Sequence, residues 1–371
     1  MTDGRRVDLR SLHVDPDIAV ARTLPGRFYA DAAIHEALVE AVFARSWQYV
    51  GDVAESALRE HARPIDWLPG SCDEPLALVT DGSGTTRCLS NVCTHRANLV
   101  VTNAGPCSSL RCGYHGRRFA LDGSFRSMPE FEGARGFPST VDDLRSLPIA
   151  RVHPLLFAAI DPVDSFDALC DGWLSRIAAL PRDRAVAIER ESRSYEVNAN
   201  WALYCENYLE GFHVPFVHAK TLGPVLDYGA YETELFAASV LQIGIAPPEE
   251  SAFVLPADHV DAGRAIAAYY AFLFPNTMLN FYPWGLSLNV VQPIAVDRTR
   301  IVYRAYVWDP SVRGRGAGGN LDAVEHEDDA IVERVQRGVR SRLYDRGRFS
   351  PARERGVHWF QRKLVSGLVR D

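Results

Sequence analysis

The spacing of apolar positions changes along this chain, and the changes divide it. Between residues 28 and 47, Phe28, Ala32, Leu38, Val42, Phe43 and Trp47 recur at helical spacing, which predicts an amphipathic helix. From Trp47 to about Ile160 short β-like pieces take over, at 48–50, 75–80, 87–92, 109–112 and 155–160. Gly, Pro and Asp turns separate them, as in a small antiparallel β domain. Residues 117–125 read as a hairpin turning at Asp122-Gly123. Further on, 167–180 is helical, 186–197 strand-like, and a helix starts near Trp201. Long strands rich in Phe, Tyr, Val and Ile fill 270–308, and 321–346 is strongly helical. The fold class expected is α+β: an antiparallel β domain over 45–160, and a second domain made of 1–44 and 161–371. That second domain pairs an antiparallel sheet with a long C-terminal helix.

Composition narrows this little. At 371 residues, 47% hydrophobic and 23% charged, the chain suits two globular domains. A net charge of −7 argues against nonspecific nucleic-acid binding, which needs a basic surface. The longest apolar run, 265–275, is only 11 residues and too short for a membrane span. Met1-Thr-Asp-Gly-Arg-Arg6 lacks the apolar region of a signal peptide, and seven cysteines is an odd count for a disulfide scaffold. A cytoplasmic protein is expected. Cys72, Cys88, Cys107, Cys170 and Cys205 are expected as buried thiols.

Two motifs carry chemistry. Cys93-Thr-His95 and Cys112-Gly-Tyr-His115 each place one thiolate beside one imidazole. Two such arms can hold a [2Fe–2S] cluster with Cys93 and Cys112 on one iron and His95 and His115 on the other. Zinc is the alternative for two Cys and two His, but zinc fingers usually group Cys with Cys and His with His. The second motif is Asn207-Tyr-Leu-Glu210-Gly-Phe-His213-Val-Pro-Phe-Val-His218. On a helix Glu210 and His213 would share a face, and a break at Pro215 would free His218 to join the same metal. Two imidazoles and a carboxylate make the facial triad of non-haem Fe(II) oxygenases; a two-His hydrolase is the rival reading. The loop 314–319 matches G-x-G-x-x-G but lacks the βαβ context, so it is expected to be a flexible surface loop.

The cysteine–histidine arms resemble those of the Rieske family, in its oxygenase branch. Arg117 stands where that branch usually has Trp, Gly113 where it has Pro, and Ala97 where it has Gly. The stretch around His213 and His218 resembles the mononuclear-iron motif of Rieske oxygenase large (alpha) subunits. The resemblance implies a Rieske β domain joined to a helix-grip catalytic domain. It implies a third iron ligand on a helix reading D-x4-E-x2-Q, here Asp328 to Gln336, with Asp328 as the ligand and Asp329 the adjacent choice. Glu325 and Glu327 are expected as solvated acids near that helix's N-terminus. Glu210 then becomes the acid that bridges an iron-ligand histidine to a Rieske histidine such as His115 of a neighbouring subunit. Asn207 belongs to the same motif. The resemblance also implies a head-to-tail homo-oligomer, typically a trimer, and a separate NAD(P)H-dependent reductase or ferredoxin.

The expected activity is a terminal oxygenase that hydroxylates or demethylates a small organic substrate with O2. The 205–218 run looks closest to choline-monooxygenase-like members, which act on quaternary ammonium compounds. Tyr269, Tyr270, Phe272, Phe281, Tyr282 and Trp284 could build a cation–π box, although strands favour aromatics for plain core packing. An aromatic-ring or aromatic-acid oxygenase, as mono- or dioxygenase, is the alternative. A Rieske electron carrier without catalysis is the rival of another class, and it would need none of His213, His218 and Asp328.

Overall fold

The computed structural model describes residues 11–369, and the chain forms two compact units. One is Trp47–Pro162; the other joins the residues before it to those from Val163 onward.

The smaller unit is built of three antiparallel sheets. The largest has the strand order Gly105–Pro106, His61–Trp67, Glu74–Thr80, Thr86–Ser90, Ser146–Leu147. A second pairs Gln48–Asp52 and Ile149–Val152 on either side of Leu155–Ala158. The third holds Leu110–Arg111, Arg118–Phe119 and Phe125–Ser127, and includes the hairpin expected at Asp122-Gly123. Gly123 adopts φ 91°, and a Cβ there would lie 3.0 Å from the Leu144 carbonyl oxygen, so the turn requires glycine. Val79, Leu89 and Phe119 pack with the thiols of Cys93 and Cys112 in one core, so the motif cysteines are anchored from beneath.

The larger unit is organised by an antiparallel meander: Glu232–Leu235, Ser239–Ile245, Ile266–Leu273, Thr277–Tyr282, Gly285–Ala295 and Arg298–Val307. Val186–Ala187 and Arg193–Val197 both pair with the last strand. Every residue of Ile266–Leu273 is buried, which explains why the longest apolar run lies here: this strand is covered on both faces. On one face Phe281 lies 6.3 Å from Trp173; on the other, Phe272 meets Phe360 edge-on at 5.5 Å. The helices Trp201–Tyr208, Leu321–Val339 and Arg355–Leu368 supply the second layer, with Trp201–Tyr208 touching both of the others.

Several elements differ from the sequence pattern. The helix expected over 28–47 is a 3₁₀ turn (Gly26–Tyr29), a short α-helix (Ala32–Leu38) capped by Asp31, and a π turn (Val39–Phe43). The π turn brings Phe43 edge-on to Trp201 at 4.6 Å. The 186–197 strand is interrupted by a 3₁₀ turn, Glu189–Glu191. The 321–346 helix ends at Val339, and the C-terminal helix Arg355–Leu368 is a separate element. The loop 314–319 is not a free surface loop. Ala317 and Gly318 are buried, and the Trp284 Nε1–H donates to the Gly318 carbonyl at 3.1 Å.

Candidate functional site

In the smaller unit each Cys/His arm closes on itself. The Cys93 N–H donates to the Asn98 carbonyl at 2.9 Å, and the Ala97 N–H returns to the Cys93 carbonyl at 2.9 Å. In the second arm the Cys112 N–H donates to the Arg117 carbonyl and the Gly116 N–H to the Cys112 carbonyl. Ala97 and Gly116 occupy matching places and both adopt left-handed φ, 53° and 77°, which explains why glycine suits the first position and alanine is strained there. The thiols of Cys93 and Cys112 are buried, while the rings of His95 and His115 sit 4.7 Å apart towards solvent. Burial pushes the Cys112 thiol up, but the N–H groups of Tyr114 and His115 and the Asn98 amide outweigh it and leave it below its ordinary value. Cys93 moves the other way, raised by burial and by the neighbouring Cys112, so within this pair of thiols the thiolate, the metal-binding form, is favoured at Cys112. Two inner sulfurs and two outer imidazoles fit a binuclear iron–sulfur cluster, which Cys93, His95, Cys112 and His115 would hold.

Arg117 is 2% exposed. Its guanidinium meets the Asp142 carboxylate at 2.6 Å and the Asp142 carbonyl at 3.2 Å. It lies within 5.8 Å of the rings of Phe119, Phe125 and Phe137. Thr94, in the first arm, donates to the same Asp142 carbonyl at 2.7 Å. Asp142 therefore ties both arms together through Arg117 and Thr94.

In the larger unit, His213 and His218 lie on either side of a short helix, Val214–Val217, which follows Trp201–Tyr208 after a turn. Glu210 stands in that turn, past the helix end at Tyr208, so it meets His213 through turn geometry and not as a helix-face neighbour. Pro215 does not break the helix; it occupies its first turn, where a missing N–H costs nothing. The ligand atoms of His213, His218 and Asp328 lie within 4.8 Å of one another. Asp328 Oδ1 is 3.0 Å from His218 Nε2 and 3.7 Å from His213 Nε2. Asp329 instead lines an outer cavity, with burial and then neighbouring Asp328 pushing its carboxyl up to about 6.

The outer nitrogens of both histidines are held. His213 Nδ1 is 2.7 Å from Glu210 Oε1, and His218 Nδ1 is 2.7 Å from Glu327 Oε2, which also accepts from Thr221 at 2.6 Å. These carboxylates accept from Nδ1 and turn both Nε2 atoms towards Asp328, where a metal ion would take the place of a proton between them. Asn207 donates to Asp328 Oδ1 at 2.7 Å. Burial lowers the His218 pKa, but Asp328 and Glu327 outweigh it and raise it above the ordinary value. Two inward lone pairs facing a carboxylate, with no lysine or arginine in the lining, fit a divalent cation.

The expectation that Glu325 and Glu327 are solvated end-of-helix acids is corrected. The helix begins at Leu321, so both lie inside it. Glu327 holds His218. Glu325 accepts from Tyr204 (2.7 Å), Tyr303 (2.6 Å) and Asn289 (3.1 Å), and burial pushes it up to about 7. The dense run Glu325-His-Glu-Asp-Asp329 was the available signal: so many acids on consecutive positions must point in several directions around the helix.

An inner cavity of about 80 Å³ lies between these ligands and the sheet. Tyr204, Tyr208, Tyr231, Tyr270 and Tyr282 line it, with Tyr231 and Tyr270 stacked at 6.4 Å and Tyr282 edge-on to Tyr270 at 6.0 Å. Of the six aromatics singled out above, only Tyr270 and Tyr282 reach it. Tyr269 and Phe281 fall on the opposite sheet face, Phe272 packs against Phe360, and Trp284 borders an outer cavity of about 560 Å³.

A cysteine–histidine cluster site in a β unit and a two-histidine, one-carboxylate site beneath a helix-covered sheet define an oxygenase that draws electrons through an iron–sulfur centre. The comparisons with known proteins agree. A family model for the Rieske [2Fe-2S] domain matches residues 46–142, and one for the ring hydroxylating alpha subunit (catalytic domain) matches 186–368. Choline monooxygenase (chloroplastic) of Beta vulgaris is 29% identical over 378 residues, covering 97% of this chain and 81% of that protein. The carnitine monooxygenase oxygenase subunit of Escherichia coli (strain K12) is 27% identical over 335 residues, covering 87% and 86%. The fold matches the quaternary ammonium Rieske monooxygenase CntA in complex with L-carnitine at TM-score 0.74 and 22% identity, over 94% of this chain and 96% of that one. It also matches naphthalene 1,2-dioxygenase from Rhodococcus sp. at TM-score 0.72 and 17% identity, over 93% of each. The chain belongs to the Rieske oxygenases, as a ring-hydroxylating-type alpha subunit carrying the catalytic domain. Its cofactors are a Rieske [2Fe–2S] cluster and a mononuclear iron.

Proposed function

We propose that this oxygenase subunit hydroxylates or demethylates a small quaternary ammonium compound. Cys93, His95, Cys112 and His115 would hold the cluster, and His213, His218 and Asp328 the iron. A bound iron(II) with open positions supplies O2 activation. The observation that carries the substrate class is the lining of the inner cavity: five tyrosines and, among the described residues, no lysine or arginine. Aromatic faces attract an organic cation, whereas an aromatic acid would need a cation for its carboxylate. The names of the choline and carnitine monooxygenases point the same way.

The chain's own groups would then divide the work. The tyrosines exclude water and hold the cationic head beside the metal ligands. Glu210 and Glu327 keep the Nδ1 protons of His213 and His218, and Asn207 orients Asp328. Per turnover, O2, two electrons and two protons convert one C–H to C–OH and release one water. The electrons come from a separate NAD(P)H-dependent reductase or ferredoxin. Glu210 also serves as the bridging acid towards His115 of a neighbouring subunit in a homotrimer. Inter-subunit electron transfer described for a structurally similar quaternary ammonium Rieske monooxygenase supports that reading. A cytoplasmic location is supported by the five cysteines outside the cluster set, none in a disulfide; no helix among the described residues is long and apolar enough to cross a membrane.

The test is substrate-dependent O2 uptake with a surrogate reductase, screening trimethylammonium compounds against aromatic acids. Uptake coupled to a hydroxylated or demethylated amine is expected. Coupled turnover of an aromatic acid alone would overturn the substrate class.

A further inference from the structure

Glu325 is the group at this site that the iron chemistry does not use. Its carboxylate accepts three hydrogen bonds, from Tyr204, Tyr303 and Asn289, and all three donors are neutral. Among the described residues it forms no ion pair. It lines the inner cavity with the tyrosines and also faces the outer cavity, where Arg193 and Arg313 are paired with Asp322 and Glu191 and Arg304 donates to the Tyr303 carbonyl at 3.2 Å. Charge counting sharpens this. Iron(II) held by Asp328 would retain one positive charge, and Glu210 and Glu327 behind the two histidines already outweigh it, so Glu325 adds to a site whose balance is negative. Burying such a charge costs free energy unless a partner arrives. The cavity walls that would meet that partner are aromatic faces, which favour a cation and cannot serve an anion.

We propose that Glu325 is the specificity-determining counter-charge of the substrate pocket, selecting a singly charged organic cation over a neutral molecule of the same shape. The proposal rests on the quaternary ammonium reading above and adds the residue that enforces it. The tyrosine rings accept any apolar head of the right size; the carboxylate distinguishes nitrogen from carbon at its centre.

The test uses iron-loaded holoenzyme without turnover, at about pH 8 so that the carboxylate is ionised. Choline and its uncharged tert-butyl isostere, with carbon in place of nitrogen, are titrated calorimetrically. Wild type is expected to prefer choline by roughly tenfold or more, as for a desolvated charge pair. Glu325→Gln should bring the two ligands close to parity by weakening choline alone, and Glu325→Asp, whose charge retreats by one methylene, should reduce the preference without abolishing it. Cluster absorbance and iron content are checked in each variant. If Glu325→Gln does not fold, Glu325→Asp carries the test: retreat of the charge by one methylene should weaken choline and leave the isostere unchanged. Equal weakening of both ligands would show a structural role and overturn the proposal. Undiminished preference in Glu325→Gln would overturn it while leaving the substrate class standing. No preference in wild type would overturn both.

Discussion

The two metal sites treat buried charge in opposite ways. Beside the cluster arms, the charge of the buried Arg117 is paired: Asp142 takes it and three phenylalanine rings face it, although its Nε–H meets no acceptor among the described residues. In the larger unit, Glu325 in the pocket and Glu206 between Tyr29 and Gln361 are half-buried residues whose carboxylates meet only hydroxyl and amide donors. Burial accordingly raises Glu325 to about 7 and Glu206 to about 8. The arms must hold two loops at a fixed separation while their imidazoles face outward, and a closed ion pair does that without needing a visitor. The catalytic pocket must accept a ligand, so its charge is left open on the ligand side. A matched charge is a fastener; an unmatched one marks a place for something else.

The comparison breaks most sharply at the metal ligands themselves. His213→Ala should abolish product formation and lower iron content to that of the cluster, with the Rieske absorbance and electron-spin signal unchanged. His115→Ala should do the reverse, removing the cluster signal while His213, His218 and Asp328 still bind iron. Loss of both metals from either variant would refute two independent sites. Arg117→Met comes next. Removing one partner of a buried pair costs roughly 3–5 kcal/mol, which is large against ordinary domain stability. The smaller unit should lose its cluster at lower temperature in an absorbance melt, and the iron site should be unaffected.

Smaller effects test the histidine partners. Glu327→Gln should weaken iron binding by roughly 10–100-fold in a chelator competition, the usual cost of losing a carboxylate behind a metal histidine. Glu210→Gln should match it in that assay. If Glu210 also bridges subunits, it should in addition slow reoxidation of the reduced cluster in the presence of O2 and substrate, a step Glu327→Gln leaves alone. Equal reoxidation rates in the two variants would remove the bridging role.

How far these features were legible in the sequence depended on how local they are. The cluster arms could be read because each is a short loop whose donors are two or three residues apart. The β unit and the sheet of the larger unit were equally visible through period-two and fully apolar runs. Asp328 could not be read from spacing, since its approach to His213 and His218 depends on how the 321–339 helix packs; family resemblance indicated it. Glu327 and Glu325 were misread because a charged helix position looks the same in sequence whether it faces water or a cavity. Tyr208 and Tyr231 escaped for a related reason: an aromatic pocket gathers side chains from a helix, a loop and two strands, and no single period contains them. Pro215 was misread because a proline in a first helical turn and one that ends a helix differ only in where the helix begins.

The mildest test concerns Glu206, the second open carboxylate. It accepts from the Tyr29 hydroxyl at 2.8 Å and from Gln361 Nε2 at 2.9 Å, tying the Gly26–Tyr29 turn and the Arg355–Leu368 helix to Trp201–Tyr208. Its folded pKa of about 8 lies above the ordinary value of 4.5, chiefly through burial. Between those values the unfolded chain has released the proton and the folded one retains it, so stability falls as pH rises through that window. For one such group the slope is at most about 1.4 kcal/mol per pH unit, a change of a few degrees in melting temperature. Glu206→Gln, which keeps the acceptor and removes the charge, should flatten the pH dependence and raise the melting temperature at about pH 8 relative to wild type. An unchanged slope would mean that the carboxylate is ionised in the folded protein and that burial there is balanced after all, which would place Glu206 with Arg117 among the matched charges and leave Glu325 alone as the open one.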